Sequence, residues 1–571
     1  MKEENHIYYS RDLKGALFQT LLKRIPPQEY SPYLEDLVNV LMDALSQGEL
    51  EVDFEDKLDQ SNFKKSGWPH AHKEALLASG WLTEETAPFF LSGSQLSWRR
   101  SYHEMNGVVE DLLHRSKSRN RTVQNTTKGE VFMNPNGLNK EQKYAVSLIE
   151  SEGVILLSGG PGTGKTSTVM RMLENALSLN PNLNIGLAAP TGKAARRLQD
   201  SLQEGIATIT SPYKRKLHEI PCDTLHRWLK ARPHGFAKNS QKPLDVDLLV
   251  IDEMSMVDLS LMQALLEALP KSSQLVLVGD PNQLPPIGSG AIWHHLHQDD
   301  IHKYFSKSAI RLQQTYRNRG ELASLSQILC EQGLNAFWDN LIKIPASANI
   351  QTHECKSNTI PPLLIKRLKD HSSRLEHLTK RLAESLEIGT TQTLSRSTQV
   401  EKEKQALFNC LEELMVLCPQ KYGLWGVDEI HKVFLGKNIE VGLSGWPQGT
   451  PIMCTENQPD LQLSNGDIGV VIGKGDQRRL IFRNVLGEGN STTRFIHPAR
   501  MKKIQPALAM TIHKAQGSET NEVIVLLHKD FTKSSQDNEQ KNKGKSYEAR
   551  LLYTAITRAK NKVELIHEPI K

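Results

Sequence analysis

The stretch from Gly159 to Thr166 reads GGPGTGKT and matches G-x-x-x-x-G-K-[S/T], a pattern that binds phosphate chains. Its glycines let backbone N–H groups approach phosphate oxygens, and the start of the following helix adds a favourable partial charge. Lys165 is expected to reach the β and γ phosphates, and the Thr166 hydroxyl is expected to ligate Mg²⁺. The loop residues predicted to contact a nucleotide are Gly159, Gly160, Pro161, Gly162, Thr163, Gly164, Lys165, Thr166 and Ser167.

A pair of carboxylates, Asp252 and Glu253, follows the apolar residues LLVI in the later stretch DLLVIDEMSM. A carboxylate at the carboxyl end of a strand can hold the magnesium shell, and its neighbour can orient an attacking water. We assign Asp252 to the metal and Glu253 to the general base. An acidic pair in this position can also be a helix cap, but the preceding phosphate loop favours the catalytic interpretation.

Two glutamines are candidates for contacts with the nucleotide. The run QLVLVGDPNQLPP ends a strand at Gly279 and Asp280 and places Gln283 on the next loop. The uncharged amide of Gln283 can contact the γ phosphate and register its loss without competing for the metal. Gln142 precedes the first strand, where its donor and acceptor suit the adenine edge, although a surface glutamine is the simpler alternative.

These residues require a parallel sheet to position them. From Gly137, apolar runs such as VILLS, NIGLAAP, DLLVID and QLVLVGD alternate with helical stretches, which predicts a parallel sheet with helices on both faces. A second series, LEELMVLCPQ, NEVIVLL and NKVELI, predicts a second α/β core. Between the two, residues 361–388 predict a solvated helix pair. Short alternating strands and glycine turns over 436–505 predict a small β-barrel.

Composition allows three or four domains, because the chain has 571 residues. The formal net charge is only +5, so nucleic-acid binding would have to come from local grooves. The six cysteines are scattered without a C-x-x-C pair, which disfavours a zinc module and a disulfide framework and predicts reduced thiols in the cytoplasm. Neither a signal segment nor a run of eighteen apolar residues is visible, so no membrane segment is expected.

Taken in order, the motifs resemble those of superfamily 1 DNA helicases, and within them the RecD family, the α subunits of exodeoxyribonuclease V. The resemblance extends from Gly137 to the C-terminus. Besides the phosphate loop it rests on APTGKAARRL, TLHRWL, VIDEMSM, LVGDPNQLPPIGSG, LQQTYRN, ALAMTIHKAQGSE and LLYTAITRAK. It implies an α/β protein with two RecA-like P-loop NTPase cores, a helical N-terminal domain and a small SH3-like β-barrel inserted in the second core.

The expected domains follow from this resemblance. They are an N-terminal docking domain (1–115), a linker (116–136), the first RecA-like core (137–345), a helical connection with the start of the second core (346–435), the barrel insertion (436–505) and the remainder of the second core (506–571). The aromatic residues of 1–115 favour a partner interface, and the alternative is that they fill that domain's own core.

The resemblance also implies roles for residues outside the phosphate loop. Arg317 and Arg558 match the arginine fingers that reach the γ phosphate. Six residues match positions that contact the backbone of single-stranded DNA: Thr191, Lys193, Thr224, His226, Thr511 and His513. Residues 232–247 match a small hairpin that is either a wedge at the DNA fork or a plain surface hairpin.

The expected function is an ATP-dependent and Mg²⁺-dependent DNA helicase that moves 5′ to 3′ on single strands and acts at duplex ends without sequence preference. The resemblance implies RecB- and RecC-like partners in a heterotrimer that repairs double-strand breaks by recombination. One alternative is a stand-alone RecD-like helicase. Another is an ATP-gated DNA clamp or scaffold that does not unwind.

Overall fold

A computed structural model describes residues 4–46, 48–55, 66–83, 86–119, 137–286, 288, 290–316, 320–343, 349–356, 358–387, 394–485, 491–528 and 547–569. The chain divides into two compact units. The first comprises 1–190, 205–314 and 535–543, and the second comprises 191–204, 315–534 and 544–571. Most of the predicted linker 116–136 lies outside the described residues, as does Arg317.

The N-terminal region combines helices with a small sheet that the sequence did not predict. Its elements are α1 (Glu4–Arg24), α2 (Tyr33–Ser46), β1 (Glu51–Asp53), α3 (His70–Ala78), β2 (Phe89–Ser92), β3 (Gln95–Trp98) and α4 (Arg99–Arg119). The strands form an antiparallel sheet in the order β1-β3-β2. Strands of three or four residues are too short to give a clear alternation, which explains why the sheet was missed. Leu37, Leu41, Trp81 and Phe89 belong to the apolar cluster of this region.

Helix α4 packs into the core of the first parallel sheet rather than ending a separate domain. Met105, Val108 and Leu112 belong to the same buried cluster as residues of that sheet. The fully buried Arg115 guanidinium donates to the carbonyl oxygens of Leu266, Leu269 and Pro270 at distances of 2.6–2.9 Å. The predicted boundary at residue 115 therefore falls inside a helix that the core requires.

The rest of the first unit has the predicted α/β alternation. Its elements, with α7 shared between the two units, are α5 (Lys140–Ser147), β4 (Val154–Gly159), α6 (Lys165–Leu179), β5 (Ile185–Ala189), α7 (Gly192–Thr208), α8 (Lys214–Glu219), β6 (Cys222–Thr224), α9 (Leu225–Trp228), β7 (Ala231–Arg232), β8 (Gly235–Phe236), β9 (Leu248–Ile251), α10 (Leu259–Ala268), β10 (Gln274–Gly279), α11 (Ile292–His295), α12 (Asp299–His302) and β11 (Ala309–Leu312).

Six of these strands form a parallel sheet in the order β11-β4-β10-β9-β5-β6. All residues of β4, β9 and β10 are buried, as continuous apolar runs predict for a sheet covered on both faces. Strands β7 and β8 form a two-stranded hairpin over 231–236, at the start of the region where the sequence predicted one. The four predicted strands of this core are confirmed.

The second unit contains a second parallel sheet and an antiparallel sheet. Its elements are α13 (Glu321–Lys343), β12 (Ile350–Glu354), α14 (Pro362–Glu387), α15 (Leu394–Leu411), β13 (Leu414–Cys418), α16 (Val427–Leu435), α17 (Asn438–Val441), β14 (Pro451–Cys454), β15 (Ile468–Ile472), β16 (Arg479–Val485), β17 (Ser491–Ile496), β18 (Ile504–Pro506), β19 (Met510–Thr511), β20 (Thr520–Leu527), α18 (Tyr547–Ile556) and β21 (Ala559–His567).

The parallel sheet has the order β12-β21-β20-β13-β19, and the antiparallel sheet has the order β17-β16-β15-β14-β18. The three strands predicted for the second core correspond to β13, β20 and β21. The helix pair predicted over 361–388 is wrong, because α14 is one continuous helix. Its apolar side chains Leu364, Leu368, Leu375 and Leu382 are buried, so this helix is not fully solvated. Among the described helices, none has the length and apolar character needed to span a bilayer.

Candidate functional site

The phosphate loop connects β4 to α6 and adopts a conformation that depends on its glycines. Gly162 and Gly164 have φ values of +73° and +83°, in the left-handed region that side chains other than glycine rarely adopt. Gly164 is the N-cap of α6 and no side chain caps the helix there. The backbone N–H groups at this helix start are therefore suited to bind an anion.

The Lys165 side chain lies over this loop. Its Nζ donates to the carbonyl oxygens of Gly159 at 2.7 Å and Gly160 at 3.0 Å. The Thr163 hydroxyl donates to the Gly160 carbonyl at 2.8 Å. An added Cβ at Gly159 would lie 2.7 Å from Thr163 Oγ1, so glycine is needed there for close packing. The loop thus combines packed glycines with one flexible cation, which suits binding of a polyphosphate.

The acidic pair follows β9 at the same edge of the sheet. Strands β4, β10 and β9 are parallel neighbours, so the phosphate loop and Asp252 both follow carboxyl ends at this edge. The Asp252 Oδ1 atom accepts from the Glu253 backbone N–H at 2.9 Å. Glu253 has φ +54° and ψ +45°, a left-handed conformation that is unfavourable for this residue and is often found at functional sites.

A magnesium ion would find suitable ligand types at this edge. The Asp252 carboxylate and the Thr166 hydroxyl both offer oxygen atoms, the ligands that Mg²⁺ prefers. Thr166 lies in the first turn of α6, directly after Lys165. The residues present therefore fit a magnesium-bound phosphate chain.

Gln283 lies beyond the end of β10 and is almost fully buried. Its Nε2 donates to Asp280 Oδ2 at 3.4 Å, and Asp280 Oδ1 accepts from the Asn282 N–H. The Gln283 Oε1 atom has no hydrogen-bond partner among the described residues. A buried amide oxygen without a partner is costly, so this side chain is suited to bind a further polar group.

Gln142 has a structural role that the sequence did not predict. Its Oε1 accepts from the Asn139 backbone N–H at 3.0 Å, and its own N–H donates to Asn139 Oδ1 at 2.8 Å, which is a capping box at the start of α5. Its Nε2 also donates to the Thr163 carbonyl at 3.5 Å. Gln142 therefore joins α5 to the phosphate loop, and its contact with adenine stays a prediction.

Arg558 lies in the second unit and is buried within it. The guanidinium donates to the Thr554 carbonyl at 3.0 Å, the Ser518 carbonyl at 3.3 Å and the Thr557 hydroxyl at 3.4 Å. These bonds fix the side chain between the end of α18 and the chain that precedes β20. Its role as an arginine finger stays a prediction, as does that of Arg317.

The three threonines assigned to DNA share one local geometry. Each hydroxyl oxygen accepts from the backbone N–H three residues later: Thr191 from Ala194 at 3.2 Å, Thr224 from Arg227 at 3.3 Å and Thr511 from Lys514 at 3.4 Å. These are capping bonds at the start of a helical turn, which the sequence could have predicted from hydroxyl residues that precede such turns. A capping hydroxyl can still donate its own proton to a phosphate oxygen.

The basic residues of the same motifs differ in their environments. Burial lowers the pKa of the Lys193 ammonium to about 8. His226 lies beside the hairpin, with its ring centroid 6.0 Å from that of Phe236. His513 Nε2 lies 3.0 Å from the Tyr547 hydroxyl, and burial lowers the His513 pKa, which favours the neutral ring. Tyr547 was missed because no local sequence signal connects it to a histidine 34 positions earlier.

Two models of known protein families match separate parts of this chain. Residues 142–289 match the family model described as an AAA domain, and residues 506–566 match the one described as a UvrD-like helicase C-terminal domain. The RecBCD enzyme subunit RecD of Mycolicibacterium smegmatis is 30% identical over 550 residues, which cover 93% of this chain and 89% of that protein.

Two further comparisons gave lower similarity. The ATP-dependent RecD2 DNA helicase of Deinococcus radiodurans is 28% identical over 434 residues, which cover 75% of this chain and 48% of that protein. Among solved structures, Bacteroides Pif1 bound to ssDNA is 17% identical, with a TM-score of 0.38, over 76% of this chain and 92% of the Pif1 chain.

Proposed function

This chain belongs to the RecD family, and on that premise we propose that it drives unwinding with ATP as the helicase subunit of a RecBCD-type enzyme. It is an ATP-dependent DNA helicase. The single observation that carries its chemistry is the common edge of the first parallel sheet, where the phosphate loop and Asp252 follow parallel strands. The stand-alone alternative is weaker, because RecD of Mycolicibacterium smegmatis is similar over more of both chains than RecD2 is.

The residues at this edge, together with two arginines elsewhere in the chain, have proposed tasks in ATP hydrolysis. Lys165 binds the β and γ phosphates, while Thr166 and Asp252 hold Mg²⁺, which neutralises charge on the phosphate chain. Glu253 accepts a proton from the attacking water. The Gln283 amide contacts the γ phosphate by donating from Nε2, and its buried Oε1 accepts from the attacking water. Arg317 and Arg558 provide cationic charge for the transition state.

The proposed DNA contacts are made to the phosphate backbone of a single strand. The hydroxyls of Thr191, Thr224 and Thr511 donate to phosphate oxygens while they cap their own turns. Lys193 contributes charge, and His226 and His513 contribute rings and ring N–H groups. Since none of these contacts requires a particular base, binding at single strands and duplex ends is sequence-indifferent. Translocation in the 5′-to-3′ direction follows from membership of the family.

We propose the remaining architecture from the family as well. The antiparallel sheet over 451–506 is an SH3-like insertion, and α1 to α3 with the small sheet form a docking domain for RecB- and RecC-like subunits in an exodeoxyribonuclease V that repairs double-strand breaks. Helix α4 belongs to the first core. A cytoplasmic location agrees with six cysteines that form no disulfide in the described part of the chain.

Co-expression tests the subunit assignment. The full chain should co-purify with the RecB- and RecC-like proteins of its own host, and the isolated chain should retain DNA-stimulated ATPase. Substitution of the exposed Leu77 by Asp provides a surface variant in the docking domain, and Leu179→Asp provides a matched exposed control in the first core. The subunit proposal is wrong if the wild-type chain never associates with these partners while it unwinds DNA alone.

A further inference from the structure

The end of helix α2 contacts the loop that follows Gln283. The Gly48 N–H donates to the Leu45 carbonyl at 3.1 Å and the Glu49 N–H donates to the Ala44 carbonyl at 2.9 Å. This pair of bonds ends a helix at a left-handed residue, and Gly48 has φ +81°. A Cβ added at Gly48 would lie 2.6 Å from Cβ and 2.8 Å from Cγ of Pro285, two residues after Gln283.

The same short segment also contacts the far end of that loop. The Gly48 carbonyl accepts from the Ala291 N–H at 3.1 Å. A Cβ added at Gly290 would lie 3.4 Å from Leu50 Cδ1, and the side chain of Leu50 packs against the core of the first sheet. Gly48 therefore lies against the start of the loop at Pro285. Gly48 and Leu50 lie against its end at Ala291 and Gly290.

The opposite wall of the loop is the start of α10. A Cβ added at Gly288 would lie 2.5 Å from Asp258 Oδ2, and one added at Gly290 would lie 2.8 Å from Leu259 Cβ. Asp258 cannot move freely, because its side chain caps α10 by accepting from the Leu261 N–H. The described part of the loop is thus packed between α10 and the Gly48–Leu50 segment. A displacement of the Gly48–Leu50 segment therefore shifts the loop, because α10 leaves it no free space on the other side.

Gln283 is connected to this packed loop at its backbone. Its N–H donates to the Asp280 carbonyl, and its carbonyl lies 2.9 Å from His294 Nε2 on α11, which begins directly after Ala291. The Gln283 amide oxygen is buried without a partner among the described residues. The Gln283 side chain is therefore positioned by the loop and by the bond of its Nε2 to Asp280, and not by a bond of that oxygen.

Helix α2 is in turn part of the apolar cluster of the N-terminal region. Leu34, Leu37, Val38 and Leu41 are buried in that cluster and anchor α2 in it. A continuous packed path leads from the N-terminal cluster through Gly48 and Pro285 to Gln283.

We propose that Gly48 and Leu50 are positioning residues for Gln283, through which the N-terminal region controls ATP hydrolysis. The inference rests on the proposed contact of Gln283 with the γ phosphate. Its consequence is that a partner bound to the N-terminal region changes the turnover of ATP without touching the nucleotide. The region then acts on hydrolysis as well as on assembly.

The first test is Gly48→Ala in the full chain, with Gly93→Ala as the matched control. Gly93 also has a positive φ, +64°, but a Cβ there meets no atom within 4 Å. Both substitutions strain the backbone, and only the first displaces Pro285. Gly48→Ala should lower kcat of the DNA-stimulated ATPase by roughly tenfold or more, with KM for ATP and DNA affinity unchanged. Gly93→Ala should leave kcat unchanged.

Pro285→Ala is a second variant, which shortens the side chain that faces Gly48 without straining α2. It should lower kcat in the same direction with an unchanged thermal midpoint. Equal kcat values for the wild type, Gly48→Ala and Pro285→Ala would overturn the inference. Equal losses in Gly48→Ala and Gly93→Ala would also overturn it, because the effect would then come from backbone strain alone.

A double substitution separates this inference from the proposed function. If Gly48 acts through Gln283, Gly48→Ala should cause no further loss of kcat in a Gln283→Ala background. A multiplicative loss in the double variant would refute the inference while leaving the role of Gln283 intact. A Gln283→Ala variant with wild-type kcat would refute the role of Gln283 itself.

Discussion

The two parallel sheets of this protein follow one architectural plan and differ in the groups that lie at the ends of their strands. The carboxyl edge of the first sheet carries the glycine-rich loop, Glu253 with its left-handed backbone conformation, and the buried amide of Gln283. In the second sheet Thr511 is the last residue of β19, at the carboxyl edge, whereas the buried Arg558 guanidinium is held by carbonyl oxygens directly before β21, at the amino edge. The carboxyl edge of the first sheet offers anion-binding N–H groups and metal ligands, whereas the amino edge of the second sheet holds a cation. The same fold therefore supports two different chemical tasks.

The largest expected effect comes from removing the cation of the first edge. Lys165→Met should reduce DNA-stimulated ATP hydrolysis to background, because it removes the ammonium that lies over the phosphate loop. The fold and the DNA affinity should be retained, since the proposed DNA contacts lie elsewhere. Steady-state ATPase with and without single-stranded DNA measures the effect, and the exposed Lys216→Met is the control. Substantial turnover in Lys165→Met would remove the basis for the comparison.

The phosphate-binding loop at the carboxyl edge of the first sheet could be predicted from the sequence, because its functional residues are nearly consecutive. Gly162, Gly164 and Lys165 belong to one loop, so their pattern is visible without knowledge of the fold. The role of α4 was not accessible in this way. Its apolar spacing fits any core, and the carbonyl partners of Arg115 are more than 150 positions away. The capping bonds of Thr191 and Thr511 are local and could have been predicted.

The second largest effect concerns the cation of the second sheet. Arg558→Ala should lower single-turnover hydrolysis roughly 10³-fold, as expected for an arginine finger, with nearly normal ATP affinity. It should also lower the free energy of unfolding by about 2 kcal/mol, because buried acceptors at Thr554 and Ser518 lose their donor.

Arg558→Lys sharpens this prediction, since it keeps the charge but not the forked geometry. Nucleotide affinity, single-turnover hydrolysis and denaturant unfolding should be measured on both variants. Loss of stability with full turnover in Arg558→Ala would show that the residue is structural and that the second sheet supplies no catalytic charge.

A smaller loss is expected at the left-handed residue of the first edge. Glu253→Gln keeps the size of the side chain and removes the base, so hydrolysis should fall by about 10²-fold or more while ATP binding is unchanged. Glu267→Gln, at an exposed position on α10 of the same unit, is the control. Turnover equal to the control would exclude Glu253 as the base and leave its unusual backbone without a catalytic explanation.

The smallest effect should be seen in the pH dependence of DNA binding. The Lys193 pKa is lowered to about 8, so its ammonium loses its proton as the pH rises through that value. Since only the charged form attracts phosphate, DNA affinity should fall over this range. Lys193→Arg should abolish this dependence. Lys193→Ala should reduce the salt slope of the log affinity by about 0.7. A pH profile shared by the wild type and Lys193→Arg would exclude this contact.

Strand displacement tests the central claim most directly, because it separates a helicase from an ATP-gated clamp or scaffold. A duplex with a 5′ single-stranded tail should be mixed with the wild-type chain and with Lys165→Met, alone and together with the RecB- and RecC-like subunits, and release of the displaced strand should be followed in single turnover. We predict ATP-dependent release by the wild type on the 5′-tailed duplex and none by Lys165→Met alone. DNA-stimulated ATP hydrolysis without strand release on any tailed duplex, with or without the partner subunits, would contradict the assignment and favour the clamp.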